Sequence, residues 1–438
     1  MNQTTAPRRN VFVLALTQLQ RTELESIRGA ERFAFHGLLS YDRLVRETNH
    51  DFDALLDDAR TELDAFPGSV DAIVCHWDFP SSVLAPILAD ERGIASPSLT
   101  SVLKCEHKYW SRLEQQASVP EVVPGFAAVD PFEKDVQVDL PFPFWIKPVK
   151  AHSSSLGFAI HDEDELTAAL EQIRAEITDL GDAFNQALRR VDLPPELVGN
   201  GGNTCLAEEI ITGIQAAPEG VLARGEFHVH GVVDMHRDED GTSIERLDYP
   251  AGTVPAEVQE RMIDVAERFL RHVGYDDGAF NVEFMWDREA DKLWLIEVNT
   301  RISQSHSELF LLVDGSSNHE VAIDVALGEP PQMPHRQGRY AVAAQCHVIH
   351  RGEDAVVRRV PSEEDLEALD RAFPGARATF QVAPGDRLSD LPHQDSYSYT
   401  LGHVYLGAGS RQELDDRRRR ATELLPFEFD PVPEEDHG

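Results

Sequence analysis

Lysine is scarce in this chain of 438 residues, since six of its 40 basic residues are lysine and the rest are arginine. Acidic residues number 77, which gives a formal net charge of −37. This charge repels nucleic acid and anionic membranes, so we expect neither as a partner. An acidic surface with little lysine suits a high-salt cytoplasm, because the Debye length falls to roughly 3 Å at 1 M salt and self-repulsion is screened. The composition therefore predicts a halophilic protein.

Long apolar runs are also missing. The run "VFVLAL" is far shorter than the roughly 20 residues that a membrane-spanning helix needs, and the N-terminal "MNQTTAPRRN" lacks the apolar core of a targeting segment. Cysteines are few, widely spaced and without a C-x-x-C pair, which favours reduced core residues over disulfides. They are Cys75, Cys105, Cys205 and Cys346. We therefore expect a cytoplasmic protein.

The phosphate-binding pattern G-x-x-x-x-G-K-[S/T] is absent from the sequence, which excludes the P-loop class. The stretch "FWIKPVKAHSSSLGF", residues 144–158, nevertheless places two of the scarce lysines before a Ser/Gly turn. A strand lysine before such a turn can hold polyphosphate, with backbone N–H groups and hydroxyls as further donors. By strand alternation Lys147 and Lys150 face opposite sides, so we expect one of them to do most of this. The alternative is a surface hairpin without a ligand.

Strand-like and helix-like segments alternate over the first part of the chain, which predicts a parallel α/β layer. The pattern reads as a strand at 10–16, helices at 21–35 and 52–66, a strand at 70–77 and a helix at 81–93. Farther on, it predicts a helix at 162–177, a flexible linker at 193–204, a helix at 255–274, a hairpin at 279–299 and a final α/β block after residue 338.

The hairpin is the most informative segment of the chain. Because alternate residues of a strand share a face, Asn281 and Glu283 point the same way on the first strand. On the returning strand Glu297 and Asn299 share a face with Leu293 and Leu295 by the same rule. The polar side chains of the two strands are therefore expected on one surface.

If the hairpin turn centres near residues 289 and 290, Glu283 and Glu297 lie side by side. Like charges directly opposite on a sheet cost a few tenths to about 1 kcal/mol, so this arrangement favours a cation between them. Two carboxylates and the carbonyl of Asn299 are hard oxygen ligands, suited to a Mg²⁺ that bridges nucleotide phosphates. A solvated hairpin face is the alternative, and the nearby Asn299 and Arg301 weigh against it.

Taken in order, the segments resemble the ATP-grasp superfamily over roughly residues 10–430. The resemblance is carried by "CEHKYWSRLEQQASVPEVVP", "FWIKPVKAHSSSLG", "CLAEEIITGIQ", "FNVEFMWD" and "LIEVNTRIS". It implies an α/β fold (α+β ATP-grasp) with an N-terminal parallel α/β pre-grasp domain, a two-lobed ATP-grasp core and a small C-terminal α/β domain. These would occupy residues 1–105, 106–335 and 336–438, with the small lobe of the core at about 140–205 and the large lobe at about 206–335.

The resemblance further implies a site for ATP. Lys108 and Lys147 would contact the nucleotide phosphates, and Ser154, Ser155 and Gly157 would close over them.

For the adenine, the resemblance implies Glu208 together with the backbone of Glu209 and Ile211. Gln215 stands where the family usually has an acid for the ribose hydroxyls, and an amide still bonds a hydroxyl.

The resemblance also implies a metal site for Mg²⁺ (or Mn²⁺). Glu283, Glu297 and Asn299 would hold the metal ions. Arg301 would face the reacting acyl phosphate, and Lys147 would align the phosphates, so these two side chains are the expected catalytic residues.

The activity that the resemblance implies is ATP-dependent ligation of a carboxylate to an amine. "EVNTRISQSH" is similar to biotin carboxylase, but Ser305 stands where that enzyme has a glutamate to deprotonate bicarbonate. "GIQAAPEGVLARGEFHVHGVVD" and "RLDYPAGTVP" are more similar to carboxylate–amine ligases. We expect a small-molecule carboxylate and an amine as partners and leave a homodimer open. The alternatives are a biotin carboxylase-like enzyme and a non-catalytic nucleotide-binding regulatory subunit.

Three further features are open to two interpretations. His228 and His230 share a strand face, but no third metal ligand is visible, so we expect packing or a substrate-pocket role. Asp78 and Ser81 follow a predicted strand, where open α/β sheets bind ligands, or else they cap a helix. The run "RRRR" at 417–420 is expected on a solvated helix face, paired with acids.

Overall fold

The computed structural model describes residues 7–151, 156–238, 243–391 and 398–432. The helices of this part are α1 Gln18–Ser26, α2 Phe52–Ala65, α3 Ser81–Asp90, α4 Leu99–Glu106, α5 Lys108–Ser118, α6 Glu163–Leu188, α7 Ala256–His272, α8 Gln304–Asp314, α9 Asn318–Ala326, α10 Glu363–Ala372 and α11 Arg411–Leu424. None of these described helices is both long and apolar enough to cross a membrane.

The strands lie between these helices. They are β1 Arg9–Leu14, β2 Phe33–Leu38, β3 Ala72–Val74, β4 Phe126–Val129, β5 Phe144–Pro148, β6 Phe158–Ile160, β7 Cys205–Glu209, β8 Ile214–Ala223, β9 Glu226–Arg237, β10 Ile244–Tyr249, β11 Gly278–Asp287, β12 Lys292–Asn299, β13 Val342–His350, β14 Ala355–Arg359, β15 Arg377–Phe380, β16 Tyr399–Ala408 and β17 Glu428–Pro431.

The chain forms two compact units, which we call unit 1 and unit 2. Unit 1 comprises Met1–His230, Pro255–Gln304 and Asn318–Gln332. Unit 2 comprises Gly231–Val254, Ser305–Ser317 and Met333–Gly438. The predicted three-domain division with boundaries at residues 105 and 335 stays a prediction.

Unit 1 begins with a parallel sheet in the order β2-β1-β3, as the alternating pattern predicts. Alternate residues of β1 enter its core, among them Val11 and Val13, where Leu24 of α1 and Ile323 of α9 pack against them. The burial of one apolar face on helices is what stabilises such a layer. The expected N-terminal parallel layer and the α/β fold class are therefore confirmed.

Two antiparallel sheets complete unit 1. One has the order β4-β7-β5-β6 and packs Phe144 and Ile146 against Ile173 of α6. The other places β11 between β12 and β8. Antiparallel pairing brings the ends of neighbouring strands close together, so side chains distant in sequence meet on one surface.

Unit 2 has an antiparallel sheet in which β10, β13, β16 and β15 follow one another, with the last residues of β9 beside β10. Helices α10 and α11 cover one face of this sheet. Leu369, Leu414 and Leu425 pack there on Val404 and Leu406 of β16. A small ladder of β14 and β17 adjoins a second cluster of buried residues.

Two local expectations are wrong. The helix predicted over 21–35 ends early: α1 stops at Ser26, Gly29 adopts a left-handed φ of 74°, and Phe33 opens β2. Only glycine takes this conformation without steric cost, so it reverses the chain there. The segment predicted as a linker at 193–204 is instead packed against α6. The approach is close, since a side chain at Gly202 would collide with the carbonyl oxygen of Gly181 in that helix.

Candidate active site

The hairpin of β11 and β12 brings two carboxylates side by side. Glu283 is directly opposite Glu297 in the strand register, and Asn281 is opposite Asn299. The turn residues lie between Asp287 and Lys292, the last paired residues, so the turn centres where the sequence predicts. The expected juxtaposition of the two glutamates is therefore present in the structure.

Amide groups surround the carboxylate of Glu283. Gln215 Nε2 donates to Glu283 Oε2 at 2.8 Å, and Asn299 Nδ2 lies 3.3 Å from Glu283 Oε1. These neutral donors hold the carboxylate in place without cancelling its charge, as a cation-binding acid requires.

A register shift after Glu283 corrects one expectation about the hairpin. Phe284 pairs with Leu295 rather than with Ile296, so β12 carries one extra residue. Residues that pair directly have their side chains on the same face of the sheet. Leu295 therefore lies on the face of Phe284, and Glu297 lies on the other face. Leu293 and Leu295 are accordingly buried, and they do not share the face of Glu297.

Lys108 is the cation nearest to Glu297 among the recorded ion pairs. It begins α5, its backbone N–H donates to Val149 O at 3.1 Å, and its Nζ lies 3.6 Å from Glu297 Oε1. The Lys108 ammonium lowers the pKa of Glu297, with Lys147 and Lys150 adding to the effect, although burial opposes it. Burial in turn lowers the pKa of Lys108. Glu297 is thus held ionised at neutral pH.

Lys147 contributes to the same site from β5. Its ammonium donates to Glu208 Oε1, and together with Lys108 and Glu297 it lines a small cavity. Burial by itself raises the pKa of Glu208, but the charges of Lys147 and Arg112 outweigh it and lower this pKa to about 2. Glu208 therefore carries a full negative charge between two cations.

Lys150 lies beyond the end of β5 and has a different ion-pair partner from Lys147. Strand β5 ends at Pro148, and the buried Lys150 ammonium forms an ion pair with Glu106. Thr300 Oγ1 donates to the other oxygen of Glu106 at 3.1 Å. Lys150 also lowers the pKa of Glu297, and the expectation that the two lysines face opposite sides stays a prediction. Alternation does not extend past the end of the strand.

Arg301 and Asp78 form an ion pair in unit 1. Arg301 Nε donates to Asp78 Oδ1 at 2.7 Å, and burial, which lowers the pKa of Arg301, is outweighed by the Asp78 charge, which raises it. Helix α3 begins at Ser81 with Pro80 as its N-cap, so neither Asp78 nor Ser81 caps it. A cavity of about 70 Å³ adjoins Arg301, with Thr300, Cys75 and Ser82 among its lining residues.

The segment expected at the adenine connects β7 to β8. Gly213 lies there with a φ of 147°, and a side chain on it would collide with the carbonyl oxygen of Trp286. Glu209 is exposed and Ile211 is half-buried, and the N–H of Glu209 already donates to Gly125 O at 2.8 Å. Gln215, by contrast, is buried and donates a hydrogen bond to Glu283. Its side chain therefore lies with the paired glutamates of the hairpin in this structure.

The predicted phosphate loop is only partly described. Ser154 and Ser155 lie outside the described residues. Gly157 lies against β5, where an added Cβ would be 2.8 Å from the ring of Trp145.

The residues present fit a hard divalent cation. Within the described part of the chain no three His, Cys, Asp or Glu side chains converge as a metal cluster. Mg²⁺ needs only one or two carboxylates, since it keeps several waters and takes oxygen atoms from substrate phosphates. Glu283 and Glu297 supply two carboxylates, and the amide oxygen of Asn299 is a third hard donor.

His228 and His230 of β9 differ in their exposure to solvent. His228 is exposed and 3.4 Å from Glu226, whereas His230 is buried. Burial lowers the pKa of His230 to about 4, so it is neutral at pH 7.

Sequence reasoning missed Arg112, the most connected side chain of the site. Its guanidinium donates to Glu208 Oε2, to Leu295 O at 2.7 Å and to Ile296 O at 3.1 Å. These two carbonyls adjoin the extra residue of β12, so Arg112 supports the strand immediately before Glu297. An arginine one helical turn after Lys108 was the available signal, because residues four apart share a helix face.

Comparison with known proteins finds similarity over part of the chain. Residues 140–308 match the family model of the ATP-grasp domain. An uncharacterized protein of Sinorhizobium fredii is 29% identical over 193 residues, which are 42% of this chain and 37% of that protein. Biotin carboxylase 1 of Bacillus subtilis is 26% identical over 202 residues, which are 44% of this chain and 43% of that protein. The matches thus span less than half the length of these curated relatives.

A solved structure covers almost the whole chain. The L-amino acid ligase from Bacillus licheniformis superposes with a TM-score of 0.70 at 16% identity, covering 97% of this chain and 100% of that one. At this identity the likeness shows the fold. The chain therefore has the fold of this ligase, and its residues 140–308 match the ATP-grasp domain model.

Proposed function

We propose that this protein is an ATP-dependent ligase that converts a carboxylate into an acyl phosphate and lets an amine displace the phosphate. The observation that carries the proposal is the placement of Glu283 opposite Glu297, with Lys108 Nζ 3.6 Å from Glu297. This combination of paired acids and a half-buried lysine lies in a chain that matches the ATP-grasp domain model over residues 140–308. The L-amino acid ligase of the same fold supports an amino acid as one substrate.

The chemistry requires activation because a free carboxylate does not acylate amines at neutral pH. A bound Mg²⁺ (or Mn²⁺) would neutralise charge on the β- and γ-phosphates of ATP, and Glu283, Glu297 and Asn299 would hold it. Lys108 and Lys147 contribute fixed positive charge for the phosphates. Both are already oriented by carboxylates, Lys108 by Glu297 and Lys147 by Glu208.

Arg301 serves the acyl-transfer step. Its guanidinium is charged at every relevant pH and is oriented by Asp78, so it can stabilise the oxyanion that forms as the amine adds. Asp78 thereby acts as a positioning residue. Ser154, Ser155 and Gly157 would exclude water from the anhydride, and Glu208 with the Glu209–Ile211 backbone would meet the adenine.

Two other activities compete with this proposal. Likeness to Bacillus subtilis biotin carboxylase 1 favours a carboxylase, but Ser305 lacks the basic group that bicarbonate activation needs. A nucleotide-binding subunit without turnover would have little use for a complete set of acids and lysines. The proposed partners are a small carboxylate and an amine in a high-salt cytoplasm, and homodimer formation stays a prediction.

Phosphate release from ATP separates the three activities. The assay uses pooled carboxylates with and without pooled amines, and hydroxylamine as a general nucleophile that traps acyl phosphates as hydroxamates. We expect release to require a carboxylate and to rise with an amine or hydroxylamine. Release that depends on bicarbonate and biotin would identify the carboxylase, and ATP binding without any release would identify the regulatory subunit.

A further inference from the structure

A second cavity lies within unit 2. It has a volume of about 210 Å³ and lies between the strands β13 and β16 and the helix α11. Its apolar lining includes Cys346, Val404, Leu406 and Leu425, whose side chains also belong to the buried core of that sheet. A water occupies roughly 30 Å³ of liquid, so the volume suits a ligand of about seven or eight non-hydrogen atoms.

The polar residues of this lining are Glu245, His347, Arg351, Arg418 and Thr422, and Arg418 is one member of the arginine run. The other three arginines of the run are engaged: Arg417 pairs with Glu413, Arg419 pairs with Asp416, and Arg420 lies 5.0 Å from the ring centroid of Phe373. Arg417 and Arg419 are paired with acids as the sequence predicts, whereas Arg420 lies on an aromatic ring.

Arg418 differs from these three arginines, each of which has an acidic or aromatic partner. Among the described residues no ion pair to its guanidinium is found, and its Nε is buried without a hydrogen-bond acceptor. Leaving a buried donor unpaired is costly, and more so for a charged group. Proteins retain such groups where a ligand supplies the missing acceptor.

The remaining charges around the cavity cancel. Glu245 and Arg351 both line it, and they form an ion pair with each other. Among the described lining residues, Arg418 is therefore the charged side chain for which no ion pair is found, and it adjoins the apolar part of the lining. In a chain with a net charge of −37, this local sign selects an anion.

We propose that this cavity is a binding site for a small monocarboxylate with a short apolar chain. The carboxylate would accept from Arg418, and the chain would lie on Val404, Leu406 and Leu425. A guanidinium presents its N–H donors in a planar fork that matches a carboxylate. The site is independent of the ligase activity proposed above.

Hexanoate, with eight non-hydrogen atoms, is the probe. Titration calorimetry on the full chain should show binding of hexanoate but not of hexanol or hexylammonium. The substitution Arg418→Gln should weaken hexanoate binding roughly tenfold or more, as loss of a charge-assisted bond does. Arg419→Gln, a change of equal chemistry on the adjacent residue, should leave the affinity as in wild type.

Binding at the ligase site is separated by Arg301→Gln, which should keep its affinity for hexanoate. Equal affinity of wild type and Arg418→Gln, or loss of binding in Arg301→Gln, would each overturn the proposal. Because Arg418 has no partner to lose, Arg418→Gln should fold with a melting temperature at or above that of wild type.

Discussion

Arg112 and Glu208 form a buried ion pair in unit 1, with Arg112 Nη2 2.9 Å from Glu208 Oε2. The same guanidinium donates to the carbonyl oxygens of Leu295 and Ile296, next to Glu297. One side chain thus connects the strand expected at the adenine to the strand expected at the metal.

The first prediction concerns this side chain. Arg112→Met should destabilise the protein by about 3–5 kcal/mol, because it leaves two carbonyls and part of a carboxylate without partners. Arg112→Lys should rescue little, since an ammonium lacks the planar fork of donors. Urea unfolding at fixed salt measures both. Arg268→Met, which breaks an exposed pair with Glu121, should cost less than about 1 kcal/mol, and equal costs would contradict the assignment.

The second prediction concerns Glu297. Glu297→Gln should abolish ATP turnover and leave the fold intact, because a neutral amide keeps the shape while it loses the charge paired with Lys108. Phosphate release and circular dichroism measure the two effects. Glu289→Gln, an exposed position in the turn of the same hairpin, is the matched control and should behave as wild type. Normal phosphate release by Glu297→Gln would remove the metal assignment.

The third prediction separates Lys147 from Lys150. Lys147→Ala should raise the KM for ATP and lower kcat, as loss of a charge-assisted bond worth roughly 1.5 to 3 kcal/mol would do. Its effect on stability should be modest, because Glu208 keeps Arg112 as a partner. Lys150→Ala should instead destabilise by about 3–5 kcal/mol, since it leaves Glu106 buried without its cation.

Steady-state kinetics and urea unfolding on both lysine variants test this division of roles. A stable Lys150→Ala variant with the larger loss in kcat would show that Lys150 is the phosphate ligand.

The hairpin shows how far sequence reasoning reaches. The register of Glu283 and Glu297 follows from the strand lengths and the turn position, which are local properties. The extra residue of β12, Ile296, does not follow from such local properties. The carbonyl oxygens of Ile296 and of its neighbour Leu295 accept from Arg112, which is 183 positions from Leu295. The alternation rule assumes a strand without a bulge, and the bulge in β12 lies where the distant Arg112 donates to the strand.

Lys147 and Lys150, in the stretch at residues 144–158, show the same limit of sequence reasoning. Their scarcity and their position before a Ser/Gly turn marked the site, and Lys147 lies there with Lys108 and Glu297. The ion pair between Lys150 and Glu106 was not predictable, because the two residues meet only after α4 and β5 have packed. Burial of a charge requires a partner, but sequence alone does not identify it.

The fourth prediction concerns salt. Acids exceed bases by 37, so 37 negative charges have no basic counterpart, whereas exposed pairs are each worth at most about 1 kcal/mol. Screening should therefore stabilise the protein on balance, and the melting temperature should rise between 0.01 and 1 M KCl as the Debye length falls from about 30 Å to about 3 Å. Equiosmolar sucrose controls for solute exclusion. A flat or falling melting temperature would contradict the halophilic interpretation.

The fifth prediction concerns His347 and His403 in unit 2, which are opposite each other in β13 and β16 with ring centroids 4.6 Å apart. Burial lowers the pKa of His347 to about 4, against the charge of Glu245, and burial together with His347 lowers the pKa of His403 to about 3. In the unfolded chain both take a proton near pH 6.5. Their contribution to stability is therefore fully present above pH 6.5 and is lost as the pH falls toward 4 and 3.

Each imidazole that stays neutral in the folded state adds a slope of up to about 1.4 kcal/mol per pH unit within that window. His403→Gln removes one of the two, so the free energy of unfolding should fall less steeply between pH 6 and 4.5 than in wild type. The exposed His335 gives the control variant His335→Gln, which should keep the wild-type slope. Urea unfolding followed by circular dichroism at four or more pH values measures it, and parallel curves for wild type and His403→Gln would show that the pair does not titrate on unfolding.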